Sequence, residues 1–353
     1  MELTSTANPE TPIISHSKNL DFVRSFAVLL VVGRHVAGLI GYTHLGPVPL
    51  QFVGIFGVML FFVLTAHVLM FSLEKISKTE SGMRSIHRTF FIRRAFRIYP
   101  LSIFIVLVGF AVSKLFTFQG FAKISYADLA SNVFLVQNLT GARDIVGPLW
   151  SLPIEVQMYL LLPITYFLIA RRSAWWLALV YGAGVVLGIA ALKTQLLGML
   201  RYAPCFIPGI VAYWIIKRNP KRILPFFALP VALITLLILY GKLGQFSQTL
   251  GGYPACIILG LMLPFVRESS GLLVNAICEA IAKYSYGIYL IHVPVMYACF
   301  LLEIPLLQQI ALFIVVTWIL SVLAYRYIES PMIALGSRLT KTAPQVVVAP
   351  SAA

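Results

Sequence analysis

Residues 50–72 read LQFVGIFGVMLFFVLTAHVLMFS and contain no Lys, Arg, Asp or Glu. An α-helix needs about 20 predominantly apolar residues to cross a hydrocarbon core of about 30 Å. The stretch therefore predicts a membrane-spanning helix. The same criterion, applied along the whole chain, predicts about ten spans. They lie at about residues 20–40, 50–72, 98–117, 150–169, 174–191, 202–216, 223–240, 251–266, 284–302 and 306–327.

The composition of the chain indicates that lipid is its solvent. Of the 353 residues, 59% are hydrophobic and only 11% are charged, which is more apolar surface than a soluble fold of this length can bury. We therefore expect an all-α fold, a polytopic helical membrane bundle with about ten transmembrane helices. The four cysteines stand singly within apolar stretches, without a CxxC pair, and predict neither a disulfide nor a metal site.

The net charge of +15 lies in the short segments between the apolar stretches rather than along one exposed face. This distribution argues against nucleic acid as a partner. Lys and Arg are about three times as frequent on the side of the N-terminus as on the other side, which predicts that both termini are cytoplasmic. We expect a polar cytoplasmic segment at residues 1–19, a membrane domain at residues 20–332 and a short disordered tail at residues 333–353.

Three ionisable residues in the first predicted span are candidates for function, because a charge inside the bilayer is costly. Arg24 and His35 share one helix face and lie about 16 Å apart along its axis. Asp21 precedes Arg24 by one turn and can pair with it. The pattern fits an ion pair with a structurally bonded histidine. It also fits a histidine that accepts a proton from a hydroxyl near neutral pH.

The span that begins near Trp150 carries Glu155, the only carboxylate well inside a predicted span. Tyr159 follows at i,i+4 and lies on the same helix face. This helix runs opposite to the first, so that Glu155 and His35 are both expected in the outer half of the membrane. A carboxylate that orients an imidazole is a recurring catalytic arrangement. The alternative is a buried carboxylate bonded to a tyrosine or to the backbone.

Arg93, Arg94 and Arg97 cluster at the cytoplasmic mouth of the third predicted span. Most such clusters anchor a helix to anionic lipid headgroups. Alternatively, paired guanidinium donors bind the phosphates of a ligand such as coenzyme A. In the ninth predicted span, His292 either lines a shared cavity or bonds a neighbouring helix, whereas we interpret His67 as structural.

Six motifs in order resemble those of the acyltransferase-3 family and cover the chain from about residue 20 to residue 332. They are LDFVR at 20–24 followed by His35, FFVLTAHVL at 61–69, FIRRAFRIYPL at 91–101, LWSLPIEVQMYLLLP at 149–163, SYGIYLIHVPV at 285–295 and YRYIESP at 325–331. The chain departs from the family pattern at Phe22, at Thr65 with Ala66, and at Pro153. These departures leave the ionisable set intact and concern details of the substrate.

The resemblance implies a multi-pass enzyme of the bacterial cell membrane that transfers an acyl group, most often acetyl, from acyl-coenzyme A to a hydroxyl. The acceptors in the family are glycans, lipid-linked sugars and related molecules, and acetyl-coenzyme A is a cosubstrate rather than a bound cofactor. The resemblance further implies that His35 is catalytic, that Arg24, Arg94 and Arg97 contribute to the acyl-donor site, and that Glu155 and Tyr159 belong to the active cavity. Together with the positions of the polar residues, it leads us to expect the following roles. His35 and Glu155 are catalytic, Arg24, Arg93, Arg94 and Arg97 bind the acyl donor, and Asp21, Trp150, Ser151, Tyr159, Tyr286 and His292 support the cavity.

Two alternatives stay open at the level of the sequence. The chain contains no GxSxG nucleophile motif, so direct transfer is favoured over an acyl-enzyme intermediate, although a transient intermediate is compatible with the residues. A transporter or flippase for an anionic or glycan substrate could use the same buried charges. Transporters often contain an internal repeat, and we find none here.

Overall fold

The computed structural model describes residues 17–80, 82–115, 124–169, 174–193 and 198–340. Within these ranges the long helices are α1 (Lys18–Leu39), α2 (Leu50–Thr79), α3 (Met83–Leu115), α6 (Ser151–Ile169), α7 (Ala174–Ala190), α8 (Gly198–Ile216), α9 (Ala228–Leu243), α10 (Gly252–Met262), α11 (Leu272–Phe300) and α12 (Leu306–Ala324). The short elements are β1 (His44–Leu45), β2 (Val48–Pro49), α4 (Tyr126–Val133), α5 (Gln137–Thr140) and α13 (Ser330–Leu339). A two-stranded antiparallel hairpin is the one sheet in the part of the chain that the structure describes.

Each predicted span overlaps one of the long helices, which confirms the all-α membrane fold. Six helical segments of the described chain are long and apolar enough to cross a membrane. They are Lys18–Leu39, Leu50–Thr79, Met83–Lys114, Gly147–Leu168, Gly198–Ile216 and Leu306–Leu339. The count of about ten spans and the orientation remain predictions. Helices α2 and α3 extend beyond their apolar stretches by polar turns at residues 73–79 and 83–97, since a helix can continue past the hydrocarbon core into the headgroup region. Helix α11 begins at Leu272, before its predicted span.

Helix α2 forms the centre of the bundle, and most of its apolar window is buried by other helices. It packs against α1 on one side and against α8 on the other. Glycines permit both contacts: a Cβ on Gly57 would lie 2.5 Å from the carbonyl oxygen of Ala27. A Cβ on Gly209 would overlap the carbonyl oxygen of Val63. Close approach at small residues is how membrane helices gain packing energy without a hydrophobic driving force.

We expect Gly209→Ala to destabilise the protein by about 1–3 kcal/mol, because the new methyl group meets the backbone of α2, which cannot rotate away. Gly182→Ala in α7 is the matched control, since a Cβ there has no atom within 4 Å. The measurement is the midpoint of thermal unfolding of the purified protein in one detergent. Equal midpoints for the two variants would contradict the close α2–α8 contact.

The segment before α6 is held by a short network. It contains two short helices, α4 and α5, separated by a turn in which Leu135 has a positive φ of 53°. Asn132 is fully buried; its Nδ2 donates to the carbonyl of Arg143, and its Oδ1 accepts from the N–H of Ile145. Hydrogen bonds from the N–H groups of Ser125 and Arg143 lower the pKa of Asp128. This network fixes the chain just before the site residues of α6.

The C-terminal part of the described chain differs from the prediction. A disordered tail was expected from residue 333, but residues 330–339 form α13, joined to α12 by a π-helical turn at Tyr325–Glu329. Pro331 lacks the N–H that would bond a carbonyl of the preceding turn, and the π-helical turn lies directly before it. Arg93 Nε donates to Thr340 Oγ1 at 2.8 Å and holds the end of α13 against α3. Residues 1–16 and 341–353 lie outside the described residues.

Candidate active site

A cavity of about 310 Å³ lies between α1, α2, α3, α6 and α11. Its polar lining consists of Arg24, Thr65, Arg94, Arg97, Ser151, Glu155, Tyr159, Ser285, Tyr286 and Tyr289. The structure thus brings together predicted site residues from four helices, although the first, Arg24, and the last, Tyr286, are far apart in the sequence. Apolar side chains of α2, such as Phe61 and Phe62, complete the wall.

Three arginines give the cavity a positive character. Arg24 Nη1 lies 3.8 Å from Asp21 Oδ1, which confirms the predicted i,i+3 ion pair. Arg97 is exposed, whereas Arg94 Nε is buried and has no hydrogen-bond partner. A buried donor without a partner is costly. Its presence beside two further guanidinium groups indicates a site for an anionic ligand.

Glu155 is the carboxylate of the cavity. Its Oε1 accepts a hydrogen bond of 2.6 Å from Tyr159 Oη, on the same face of α6, and a longer one of 3.3 Å from Thr65 Oγ1 of α2. The charges of Arg97 and Arg94 act on it as well. The arrangement matches the alternative in which a buried carboxylate binds a tyrosine, and it places Glu155 on the side of the arginines.

His35 has a different partner from the one hypothesised. Its Nδ1 lies 3.2 Å from Nε2 of His292 on α11 and 2.8 Å from the carbonyl oxygen of Val31. The two imidazole rings are tilted against each other, with centroids 5.0 Å apart. The hypothesis that Glu155 orients His35 therefore does not fit the hydrogen bonds, because Glu155 is engaged by Tyr159 and Thr65.

The histidine pair lies behind the wall of the cavity rather than in its lining. Tyr289 connects the two places: its ring lies 6.3 Å from that of His292, and its Oη is 2.7 Å from Ser151 Oγ and 2.9 Å from the carbonyl oxygen of Pro148. His292 is fully buried and His35 is half-buried. The side chain of Tyr289 thus lies between the histidine pair and the cavity.

Other predicted residues lie elsewhere. Arg93 points away from the cavity, to Thr340. Trp150 packs on Tyr202, with ring centroids 5.5 Å apart, next to the cavity but not in its lining. His67 is fully buried and bonds the carbonyl oxygen of Gly209, which confirms its structural interpretation.

Sequence reasoning missed two residues, Tyr289 and Glu329. Tyr289 lies three residues from both Tyr286 and His292, so that helical spacing alone could have placed it on their face. Glu329 is buried, with its Oε1 unpaired, in the π-helical turn after α12. It was overlooked because the last predicted span ended at about residue 327. Arg97 is the charged group that acts on it, so Glu329 lies on the arginine side of the site.

Comparison with known proteins agrees with this geometry. The family model for the acyltransferase-3 domain, described as "Acyltransferase domain", matches residues 17–326. The chain belongs to the acyltransferase-3 family. A Bacillus subtilis protein with the name "Putative peptidoglycan O-acetyltransferase YrhL" is 26% identical to this chain over an alignment of 380 positions. The alignment covers 90% of this chain and 55% of that protein. The chain therefore spans about half the length of this curated relative. No solved structure matches the chain significantly.

Proposed function

We propose that this acyltransferase-3 protein is a membrane-embedded O-acyltransferase. It moves an acyl group, acetyl in the commonest case, from cytoplasmic acyl-coenzyme A to a hydroxyl of a glycan or a lipid-linked sugar. The observation that carries the proposal is the cavity in which Arg24, Arg94 and Arg97 gather around one space, with Arg94 Nε buried and unpaired.

The arginines suit the donor. Guanidinium groups bind phosphate oxygens in pairs, and Arg94 and Arg97 lie one helical turn apart on α3. A volume of about 310 Å³ is at the small end of ligand pockets. It accommodates the thioester arm of coenzyme A but not the nucleotide. The nucleotide phosphates then lie at the mouth, where Arg97 is exposed.

The histidine suits the acceptor. His35 lies about 16 Å further along α1 than Arg24, so that an extended thioester arm running from the arginines points toward Tyr289 and the histidine pair. In the reaction, His35 accepts the proton of the acceptor hydroxyl while that oxygen attacks the thioester carbonyl. The C–S bond breaks, and the coenzyme A thiolate takes the proton from His35. Glu155 holds Tyr159 and balances the arginine charges on the donor side.

The proposed reaction also sets which end of α1 faces each side of the membrane. With both termini in the cytoplasm, the beginning of α1 and the arginines face the donor, and the end of α1 with His35 faces the outer side. The name of the Bacillus relative supports a cell-envelope glycan as the acceptor. We propose about ten spans and the bacterial cell membrane as the location.

The proposal is tested with the purified protein in lipid nanodiscs, supplied with acetyl-coenzyme A and an envelope glycan fraction. We expect release of free thiol and, by mass spectrometry, the mass of one added acetyl group on the glycan. The matched control is the Arg94→Gln protein, prepared in the same way. If the wild-type protein, placed in vesicles, moves the glycan across the vesicle membrane without consuming acetyl-coenzyme A, it is a transporter instead.

A further inference from the structure

The two histidines of the pair fix each other's protonation. Nδ1 of His35 lies 2.8 Å from the carbonyl oxygen of Val31, and Nδ1 of His292 lies 3.0 Å from the carbonyl oxygen of Ile288. A carbonyl oxygen only accepts hydrogen bonds, so that each of these Nδ1 atoms must carry a hydrogen. Both partners are backbone groups four residues earlier in the same helix, so that the helix fixes the positions of the two carbonyl oxygens.

The contact between the rings then has one consistent form. Nδ1 of His35, which carries a hydrogen, faces Nε2 of His292 at 3.2 Å. A hydrogen on that Nε2 would place two donors against each other. His292 is therefore neutral, with a bare Nε2 that accepts, and the hydrogen of His35 Nδ1 is shared between Val31 and His292.

We infer that His292 is the positioning residue of this acyl transfer, because its Nε2 accepts the hydrogen of His35 Nδ1 and leaves Nε2 of His35, which carries no hydrogen, to accept the acceptor's proton. The inference rests on the proposed function. It assigns the orienting role to a neutral imidazole on α11 in place of a carboxylate on α6.

A neutral partner suits this location. A carboxylate beside His35 would be a buried charge that needs its own compensation before any proton moves. His292 is fully buried, and α11 is tied to α1 a few turns away by the hydrogen bond from Ser25 Oγ to the carbonyl of Cys278. The two helices therefore hold the two imidazole rings in contact without adding a charge to the membrane interior.

With this assignment, the proton that the acceptor loses passes through His35 to the thiolate. The acceptor O–H bond breaks and its proton binds Nε2 of His35, which becomes an imidazolium. The hydrogen bond from His35 Nδ1 to His292 Nε2 becomes charge-assisted and stronger at that moment. As the C–O bond forms and the C–S bond breaks, the proton leaves Nε2 for the thiolate, and both rings return to their starting state.

The protonation pattern is measured directly by nitrogen NMR on the full-length protein in nanodiscs, with 15N-labelled histidine. The spectrum of His35→Gln assigns the His35 signals, and that of His292→Gln assigns the signals of His292. We expect both neutral rings to carry hydrogen on Nδ1 and none on Nε2. A neutral His35 with hydrogen on Nε2 would overturn the inference, and this measurement needs no acyl transfer.

Kinetics separate positioning from packing. His292→Gln keeps an acceptor oxygen near the position of Nε2, whereas His292→Leu fills the space without one. We expect His292→Leu to lower kcat by about 10- to 100-fold, as for outer partners of other functional histidines, with an unchanged KM for acetyl-coenzyme A. His292→Gln should recover most of the kcat. Equal losses in both variants would overturn the positioning role. If the wild-type protein releases no thiol, the proposed function fails, and the NMR pattern still decides the protonation of the pair.

Discussion

Replacing His35 with glutamine should lower the turnover of acetyl-coenzyme A by about 100- to 10,000-fold, the range that a general base contributes. Glutamine has a similar reach but no nitrogen that accepts a proton near neutral pH. The proposed donor site is the cavity around Arg24, Arg94 and Arg97, and neither His35 nor His292 belongs to its lining. Binding of acetyl-coenzyme A should therefore persist. Thiol release measures turnover, and the rise in unfolding temperature with added acetyl-coenzyme A measures binding.

The control for this experiment is His44→Gln. His44 lies in the exposed hairpin after α1 and bonds only its neighbour Thr43 among the hydrogen bonds described for it. Its replacement removes a histidine from the same end of α1 without touching the pair of His35 and His292. Turnover of His44→Gln should match the wild type. Near-normal turnover in His35→Gln would rule out a base at this position.

The sequence predicted the membrane helices because lipid leaves few choices. A stretch such as residues 50–72 must be helical, since every backbone polar group in hydrocarbon needs an internal partner. The beginning of α3 at Met83 was not predicted, because residues 83–97 are rich in arginine and have no apolar run to mark them. The same holds for α13, which is short, contains Pro331 in its first turn, and depends on its contact with α3.

The site was predicted in part, for a similar reason. A charged residue in a span must point inward to find a partner, so that inward positions of Arg24 and Glu155 were expected. Arg94 lies before the third predicted span, and the sequence left open whether it binds lipid headgroups or a ligand. The partner of His35 could not be predicted, because it depends on which helix packs against α1. The sequence offered Glu155 on α6, whereas α11 is the helix that packs there and supplies His292.

The adjacent residues Arg93 and Arg94 show most clearly what the sequence could not predict about the site. Arg93 and Arg94 are about 100° apart around α3, and either could have faced the cavity. The structure directs Arg94 into the cavity and Arg93 to Thr340 at the end of α13. The same substitution at the two positions therefore separates ligand binding from stability.

Arg94→Gln should weaken the binding of acetyl-coenzyme A by about 10- to 100-fold, since a hydrogen bond to a charged group contributes about 1.5–3 kcal/mol. The ligand-free protein should be as stable as the wild type or more stable, because the substitution removes a buried charge whose Nε has no partner. Arg93→Gln should behave in the opposite way. Binding should be unchanged, and the free energy of unfolding should fall by about 1 kcal/mol with the lost bond to Thr340.

Thermal unfolding of the three proteins, with and without acetyl-coenzyme A, measures both quantities in one experiment. The expected result is a crossed pattern. Arg94→Gln keeps the unfolding midpoint of the wild type, but acetyl-coenzyme A raises this midpoint less. Arg93→Gln has a lower midpoint, which acetyl-coenzyme A raises as much as in the wild type. Equal weakening of binding in both variants would mean that the arginines act through their summed charge at the membrane surface. A crossed pattern requires a preformed site, in which Nε of Arg94 has no hydrogen-bond partner in the ligand-free protein and gains one when the donor binds.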